Sequence, residues 1–401
     1  MADFLWQEGK RKRLIQNDFQ LLRVFFNMRI FLLCRGYPSQ ENLYNYPFLH
    51  RRVLWYQTFG HDVCIFVLSN KARSYVFEGC RVDTGDNLAM KNAVANFAPD
   101  CIAAHGIADD LWVELAELPA SIPVYGWVHG SEFIALYKTN FPDPNDPRRL
   151  KQQETHLRRK QFWRELVQDW PANLKLVFVS RDAAGRSQRD VDCSLPPDSW
   201  CVLHNPVDTD LFDYMEKPAE QRFKVLSIRP YTNWTYANDL AAEAIVRMSA
   251  HSLFDRFSFR MVGDGELFEQ VLGPLRQFKN VTLERRFLTQ TEISAAHKEN
   301  GVFLVPTRAD TQGVSRDEAM SSGMVPVTNA VAAVPEFLSP CCGHLAPPSD
   351  AAGLAGGMLE MAQKRDLFLE RSRQAAARVR SQSAANIIIP AELALLMGKK
   401  A

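Results

Sequence analysis

The stretch 306-PTRADTQGVSRDEAMSSGMVPV-327 joins two apolar runs through a polar loop. The run before it, at 301–305, has the composition of a buried strand, and the run at 325–327 has that of another. Between them, residues 316–322 favour a short helix that ends at Gly323. A strand, a helix and a second strand in this order predict one unit of a parallel α/β sheet.

The same alternation of strand and helix patterns runs through the rest of the chain after residue 28. It is interrupted near 208–221 and then starts again. Predicted strands lie at 29–34, 63–68, 75–77, 101–104, 123–128, 175–180, 201–204, 224–228, 257–262, 281–283, 302–305 and 325–327. Predicted helices include 83–97, 108–117, 238–250, 266–277, 290–299, 316–322 and 350–364. Two such series predict two doubly wound parallel-sheet domains, which we assign to residues 28–207 and 208–380.

Residues 1–27 precede the first predicted strand, and two interpretations of them stay open. They combine the basic cluster Lys10–Arg13 with apolar residues between Phe19 and Phe26. One interpretation is a basic amphipathic helix that lies on a membrane surface or on another subunit. The other is sequence upstream of a natural start at Met28.

Composition indicates a globular protein and argues against several function classes. The 401 residues include 47 basic and 46 acidic ones, so no overall field attracts nucleic acid. The eight cysteines form no Cys-x-x-Cys pair and no zinc-like spacing. No apolar run of about eighteen residues and no signal peptide are visible. We therefore expect a cytoplasmic protein with free thiols and no zinc site, either free or peripheral at the inner face of the membrane.

Four groups of polar residues and glycines follow predicted strands. His129 follows 123–128, Arg229 follows 224–228, Gly263 follows 257–262, and the loop 310–318 follows 302–305. In open parallel sheets, ligands bind beyond the carboxyl ends of the strands. The sequence therefore predicts a ligand site where these groups meet in a cleft between the two domains.

The loop that begins at Asp310 has the residue types that a nucleotide or sugar requires. Gly313, Val314 and Ser315 stand where a helix begins, and a helix N-terminus attracts phosphate through free N–H groups and its dipole. Carboxylates at Asp310 and Glu318 can accept hydrogen bonds from vicinal hydroxyls. The alternative is that Asp310 is an ordinary helix cap.

Arg229, His129 and the rim after the first strand each allow a structural alternative. Phosphate is a good partner for Arg229, but a salt bridge across the domain surface is the alternative. His129 either binds a sugar, carries a proton or is a hydrogen-bonded structural residue. The rim after the first strand is polar and aromatic, as an acceptor site would be, or it is an ordinary surface loop. Its candidate acceptor residues are Tyr37, Asn42 and Tyr44. Arg51 and Arg52 either meet an anionic or lipid diphosphate acceptor or lie on a solvated helix face.

Taken together, these stretches resemble the glycosyl transferases group 1 family. The run 306–327 is similar to its signature Pro-Ser-x-x-Glu-Gly-Phe-Gly-x-x-x-x-Glu-Ala-Met-Ala-x-Gly-x-Pro-Val, with an Asp-x7-Glu in place of Glu-x7-Glu. Three more stretches resemble the family in order: 203–212, 262–265 and 334–337. The resemblance covers about 200–380. It implies the GT-B fold, in which two Rossmann-like parallel-sheet domains face a cleft and a final segment, here 381–401, crosses back to the first domain.

The resemblance also implies roles, position by position. Glu318 would bind the ribose, Asp310 the hydroxyls of the donor sugar, and Arg229 the leaving phosphate. His129 would lie near the sugar, and Gly263 would form the turn of the Gly-x-Gly motif. Backbone groups of Gln312 and Gly313 would contact the sugar, those of Val314 and Ser315 the diphosphate, and Arg286, Phe287 and Leu288 would flank the base.

Two positions depart from the family pattern. Asp310 is one methylene shorter than the usual Glu. A lysine that usually follows the strand-end arginine is replaced by Tyr236, so one phosphate cation is missing. Hydrogen bonds from Asn233, Thr235 or Tyr236, or an arginine such as Arg308 or Arg316, are the candidate substitutes.

The implied activity is retaining, metal-independent transfer of a sugar from a nucleotide sugar to a saccharide or lipid-linked acceptor. We expect no cofactor, UDP as the first candidate nucleotide, and a role in bacterial surface polysaccharide or glycan synthesis. The alternatives are a non-catalytic nucleotide-sugar-binding scaffold of a polysaccharide assembly, and a GT-B sugar-nucleotide epimerase or hydrolase.

Overall fold

A computed structural model describes residues 27–398 of the chain. The extension predicted at 1–27 therefore lies outside the described residues except for its last position. Each of the two predicted domains contains one sheet with helices packed on both of its faces.

The first domain is built on eight strands. They are β1 (Arg29–Cys34), β2 (Asp62–Leu68), β3 (Arg73–Phe77), β4 (Cys80–Gly85), β5 (Cys101–His105), β6 (Val124–Val128), β7 (Leu174–Phe178) and β8 (Trp200–Val202). Its helices are α1 (Pro47–Thr58), α2 (Asn87–Phe97), α3 (Asp109–Leu115), α4 (Tyr137–Asn140), α5 (Pro147–Leu166) and α6 (Arg181–Val191). The strand order is β3-β4-β2-β1-β5-β6-β7-β8, and only β3 runs antiparallel to its neighbour. β1 is apolar along nearly its full length because it lies at the centre, covered on both faces.

The second domain has six parallel strands. They are β9 (Lys224–Ile228), β10 (Ser258–Gly263), β11 (Val281–Arg285), β12 (Val302–Leu304), β13 (Val325–Asn329) and β14 (His344–Ala346), in the order β11-β10-β9-β12-β13-β14. The remaining helices are α7 (Asn238–Met248), α8 (Phe268–Leu272), α9 (Gln290–Glu299), α10 (Val314–Ser321), α11 (Val334–Phe337), α12 (Ala351–Gln363), α13 (Arg365–Gln382) and α14 (Ala385–Leu396). Chain order and spatial order reverse between β9 and β12, and this is where a doubly wound sheet opens a crevice.

One predicted helix begins too early. The expected helix 83–97 is strand β4 up to Gly85, and helix α2 begins at Asn87, where Asp86 accepts a hydrogen bond from the Ala89 N–H at 2.9 Å. The strand was missed because half of its residues are polar and it lies near the edge of the sheet.

The last helix, α14, packs against the first domain. Ile389 and Leu393 lie in one apolar cluster with Ile30 and Trp127 of the first sheet. Glu392 on the same helix is fully buried, and its carboxylate lies 2.5 Å from Nε of Arg52 on α1. The C-terminal segment thus joins the two domains a second time, independently of the chain connection near residue 207.

Candidate active site

A cavity of about 380 Å³ opens between the two domains, next to the crevice of the second sheet. This volume is within the range of about 300–1,000 Å³ that is usual for small-molecule sites. Its second-domain wall comes from the segments after β9 and β12 and from α9 and α10. That wall contains Arg229, Tyr236, Gln290, Ile293, His297, Val314, Ser315 and Glu318. The first-domain wall consists of residues 44–48 and Arg51, and Pro206 and Asp208 contribute from the connecting segment.

Helix α10 begins at this cavity with free backbone N–H groups. The residue before it, Gly313, has a φ of 94°, a left-handed conformation that glycine adopts without strain. Gly313 has no side chain to cap the helix, and no group within residues 27–398 accepts a hydrogen bond from the N–H of Val314 or Ser315. Uncapped N–H groups and the helix dipole together make a site for a negatively charged ligand.

Arg229 lies beside this helix and carries a buried charge that pairs with no carboxylate in the described part of the chain. It is 6% exposed, and its Nη1 and Nη2 are 3.3 Å from Oγ of Ser315 and 3.4 Å from the carbonyl oxygen of Pro306. Its Nε has no hydrogen-bond partner among the described residues. Burial lowers the pKa of Arg229, and the nearby Asp310 opposes this. A buried guanidinium with only long, neutral contacts retains donors for an anion.

Gly263 positions Arg229 and does not line the cavity. A Cβ at Gly263 would lie 1.8 Å from the carbonyl oxygen of Arg229, and its φ of 150° also favours glycine. The Arg229 N–H donates to the carbonyl of Val262 at 3.0 Å. The Gly-x-Gly turn therefore lets the chain after β10 lie directly against the end of β9.

Glu318 presents a partly buried carboxylate to the cavity. Its side chain makes no hydrogen bond and no ion pair within the described part of the chain. Burial raises the pKa of Glu318 to about 8, the positive charge of Arg51 opposes this shift, and Asp317 adds to it. A carboxylate of this kind gains from any hydroxyl donor that enters the cavity.

Tyr236 occupies the position where the family pattern has a lysine. Its ring lies 4.9 Å from the guanidinium carbon of Arg229, so it supplies a π-face to that arginine and no charge. Asn233 does not reach the cavity, because its side chain caps the turn Trp234–Tyr236 by accepting from the Thr235 N–H at 3.0 Å. The Thr235 hydroxyl contacts Asn140 of the first domain at 2.6 Å.

The two arginines expected as substitutes for that lysine form ion pairs with aspartates instead. Arg308 forms a two-point ion pair with Asp239, at 2.8 and 2.5 Å. Arg316 is 2% exposed and pairs with Asp317 at 2.7 Å. Neither guanidinium lines the cavity, so neither replaces the missing cation.

Gln312 and Asp310 stabilise the loop before α10 and do not form the cavity wall. The Gln312 side chain accepts from the Asn205 N–H at 2.6 Å and donates to the Asn205 carbonyl at 3.0 Å. Asp310 accepts from the Gln312 N–H at 3.1 Å. The loop is thereby tied to the segment that connects the domains.

His129 lies one layer behind the cavity. Its Nε2 is 3.0 Å from Nδ1 of His105, and its ring packs on Phe48, which does line the cavity. Burial lowers the pKa of His129 to about 3, and the charge of Arg52 adds to this. The ring is therefore neutral at pH 7. The backbone carbonyl of His129 accepts a hydrogen bond from the Thr311 hydroxyl at 3.0 Å, and this contact joins the two domains.

The segment after β11 is covered by a side chain of the first domain. Tyr44 packs on Phe287 with ring centroids 4.3 Å apart and the rings tilted by 33°, and its hydroxyl accepts a hydrogen bond from the Leu288 N–H at 3.4 Å. Arg286 does not line the cavity and pairs with Glu292 at 2.8 Å. Tyr44, predicted on the acceptor side, thus lies against the second domain.

The other two predicted acceptor residues do not line the cavity. Tyr37 is 2% exposed and its hydroxyl is 2.7 Å from Nδ1 of His50, so it belongs to the core of the first domain. Asn42 is exposed and pairs through its backbone with Ser39 in a turn. Arg52, expected at an anionic acceptor or on a solvated face, is fully buried and paired with Glu392.

Several wall residues were not predicted from the sequence. Tyr46 and Phe48 line the cavity from the first domain, and His297 lines it from α9. Their positions depend on how the two domains pack, and no local pattern in the sequence signals that. Within residues 27–398 there is no cluster of three or more His, Cys, Asp or Glu side chains suited to a metal ion, and no helix is long and apolar enough to cross a membrane.

The sequence model of the family described as Glycosyl transferases group 1 matches residues 223–364, which contain most of the second-domain wall. This segment is a glycosyltransferase domain. The match confirms the enzyme class that the motifs predicted. No curated protein sequence matches the chain significantly.

Solved structures with the same two-domain architecture cover nearly all of the chain. Sucrose-phosphate synthase from Thermosynechococcus elongatus has a TM-score of 0.72 at 14% identity, covering 93% of this chain and 99% of its own. The UDP-forming α,α-trehalose-phosphate synthase from Burkholderia vietnamiensis has a TM-score of 0.66 at 13% identity, with 93% and 97% coverage. HepE from Anabaena, in complex with UDP and glucose, has a TM-score of 0.63 at 15% identity, with 93% and 100% coverage. These similarities confirm the predicted GT-B fold.

Proposed function

We propose that the chain is a retaining glycosyltransferase that moves a sugar from a nucleoside diphosphate to a hydroxyl of a saccharide or glycolipid acceptor. One observation carries this proposal: Arg229, the open N-terminus of α10 and the Glu318 carboxylate line one cavity. A donor nucleotide has the complementary groups, namely a diphosphate and a ribose with two adjacent hydroxyls. The match of residues 223–364 to a glycosyltransferase family supports sugar transfer as the reaction at this site.

In the proposed reaction, the bond between the sugar carbon and the diphosphate oxygen breaks, and a bond to the acceptor oxygen forms on the same face. The acceptor proton passes to the departing phosphate oxygen. Arg229 and the N–H groups of Val314 and Ser315 stabilise the negative charge that develops on the diphosphate. Donors that are fixed in place before reaction are usually the largest single catalytic contribution. We propose that protein groups, rather than a divalent metal, supply the positive charge at the diphosphate.

UDP is the first nucleotide to test, because HepE was solved with UDP and the trehalose-phosphate synthase is UDP-forming. Glu318 is proposed to bind the ribose. Asp310 and His129 do not line the cavity of the free protein, so they contact a sugar only if the loops around them rearrange. The surface-glycan product and the cytoplasmic, membrane-peripheral location stay predictions.

The first experiment measures thermal stabilisation by UDP, GDP, CDP, ADP and dTDP, each with and without EDTA. A ligand at about 100 times its Kd stabilises the folded state by ~2.7 kcal/mol, which raises the unfolding midpoint measurably. We expect one nucleotide to raise the midpoint, EDTA to leave that rise unchanged, and Glu318→Ala to abolish it. Glu269→Ala is the matched control, because Glu269 is an exposed carboxylate of the same domain.

The second experiment measures transfer from the sugar nucleotide that corresponds to the stabilising base. Transfer of label to a saccharide or glycolipid acceptor supports the proposal. Binding without transfer to any acceptor indicates the non-catalytic scaffold. No stabilisation by any of the five nucleotides at millimolar concentration contradicts the proposed donor site.

A further inference from the structure

The proposed donor site has a shortage of positive charge. A nucleoside diphosphate has at least two negative charges, and Arg229 is the only second-domain arginine or lysine that lines the described cavity. Tyr236, which lines the cavity beside Arg229, is neutral, and Arg308 and Arg316 are held by Asp239 and Asp317. If this site binds a diphosphate, another cation has to come from elsewhere.

Arg51 is a second cation on the wall of the same cavity, and it belongs to the first domain. It lies on α1, which begins at Pro47, and it lines the cavity together with Arg229, Ser315 and Glu318. Within residues 27–398 it makes no hydrogen bond and no ion pair, although it is partly buried. An arginine held in a partly buried site without a protein partner retains all its donors for a ligand.

The charge of Arg51 acts on a donor-side residue that lines the same cavity. It is the largest influence opposing the raised pKa of Glu318. The neighbouring Arg52 shows what a structural arginine on the same helix looks like, since it is fully buried and paired with Glu392. Arg51 forms no such ion pair with any residue that the structure describes.

We propose that Arg51 supplies the missing positive charge and binds the diphosphate of the donor from the first domain. This inference rests on the proposed function and adds a residue to it. A guanidinium can contact two phosphate oxygens at once, so an arginine there gives more than a point charge. Both arginines would then contact the diphosphate only while the first domain lies against the second.

The test compares ligands with and without phosphate. Isothermal titration would measure the affinities of UDP, UMP and uridine for the wild type, Arg51→Ala and Arg51→Gln, or those of the corresponding series if another base stabilises the protein. Arg81→Ala is the matched control, because it removes the same charge from an exposed position of the first domain. Circular dichroism checks that each variant is folded, and Arg51→Gln retains most of the side chain in case the alanine variant does not fold.

We expect Arg51→Ala and Arg51→Gln to weaken UDP binding about 10- to 100-fold, the effect of losing a charged hydrogen bond, and to change uridine binding less than twofold. Arg51→Lys should recover part of the loss, and Arg81→Ala should bind like the wild type. An equal loss for UDP and uridine would show that Arg51 acts only through Glu318 and the ribose, and it would overturn the inference. Unchanged UDP affinity would overturn it too.

The wild-type titrations separate this inference from the proposed function. If the wild type binds a nucleoside diphosphate and Glu318→Ala weakens that binding, the donor site stands whatever Arg51 does. If the wild type binds none of the nucleotides, the donor site and the role of Arg51 are both wrong.

Discussion

Arg52 and Arg229 are buried to nearly the same extent but in different surroundings. Arg52 is 0% exposed and lies between α1 and α14, where Glu392 is 2.5 Å away and Asn205 is 3.4 Å away. Arg229 is 6% exposed and lies beside the cavity, where its contacts are a hydroxyl and a carbonyl. Burial of a charge is costly unless a partner offsets it. Arg52 has a carboxylate partner within the fold, whereas Arg229 has none among residues 27–398. This difference distinguishes a structural arginine from a binding arginine.

The largest expected effect is on the structural side of this comparison. Glu392→Ala leaves the buried guanidinium of Arg52 without its carboxylate and also removes the acceptor of the Tyr56 hydroxyl. Breaking a buried ion pair in this way costs about 3–5 kcal/mol. Urea unfolding monitored by circular dichroism should show this loss.

The double variant Arg52→Met/Glu392→Leu is the control for that prediction. Replacing both partners by apolar side chains of similar size is often neutral, so the double variant should recover most of the lost stability. A Glu392→Ala variant as stable as the wild type would contradict the structural role of this pair.

Arg229→Met, in contrast to Glu392→Ala, should lower the rate of sugar transfer and leave the stability of the protein intact. The loss of one fixed donor to a developing negative charge costs about 10²–10³-fold in rate, or ~2.7–4 kcal/mol. Stability without ligand should stay the same or rise, because an unpaired buried charge is removed. Transfer assays and urea unfolding on the same preparation measure both. A loss of stability in Arg229→Met as large as that in Glu392→Ala would show that Arg229 is structural.

Gln312 belongs to both regions and should give an intermediate result. Its side chain pairs with the backbone of Asn205, whose own side chain accepts from Arg52. Gln312→Ala leaves the buried N–H and carbonyl of Asn205 without partners, at a cost of about 1–3 kcal/mol. We expect a smaller loss of stability than in Glu392→Ala, together with weaker nucleotide binding, because the loop before α10 is no longer fixed. If either quantity changes alone, the two regions are not coupled through Gln312.

The sequence allowed the second-domain wall to be predicted, because that wall is local. Buried strands predict the sheet, and the residues just after β9 and β12 must lie at its carboxyl edge. Arg229, Ser315 and Glu318 were therefore predictable candidates, and the structure places all three at one cavity.

The first-domain wall was not predictable in the same way. The composition of the loop after β1 does not show which of its side chains turn inward. The sequence therefore predicts Tyr37 at the rim of an acceptor site, whereas Tyr37 is a core residue that is hydrogen-bonded to His50. Arg51 and Phe48 reach the cavity through the packing of α1 at the interface of two domains. The contacts that set this packing, such as Thr311 with His129, join residues 182 positions apart. Short-range patterns do not encode such contacts.

The smallest expected effect concerns the protonation of Glu318. Burial raises the pKa of Glu318 to about 8, above the ~4.3 of a carboxyl in an unfolded chain. Between these two values the folded protein binds a proton that the unfolded chain does not. By linkage, the contribution of this group to stability is fully present below pH ~4.3 and is lost as pH rises towards 8. Glu318→Gln removes this titration, so its unfolding midpoint should gain on that of the wild type between pH 5 and 8. We expect a difference of a few degrees, because solvent in the cavity reduces the electrostatic cost.

Ligand binding should reverse the sign of this pH dependence. Hydroxyls that donate to the Glu318 carboxylate stabilise its charged form, so the pKa falls when ribose binds and a proton is released. The affinity of the wild type for a nucleoside diphosphate should therefore rise from pH 6 to 8.5 more steeply than the affinity of Glu318→Gln. The phosphate of the ligand titrates equally with both proteins, so the difference between the two profiles reports on Glu318. Titrations in two buffers of different ionisation enthalpy would count the released proton. Parallel pH profiles for the two proteins would mean that Glu318 faces the cavity without binding the ligand, and Arg229 alone would then mark the binding side of the comparison.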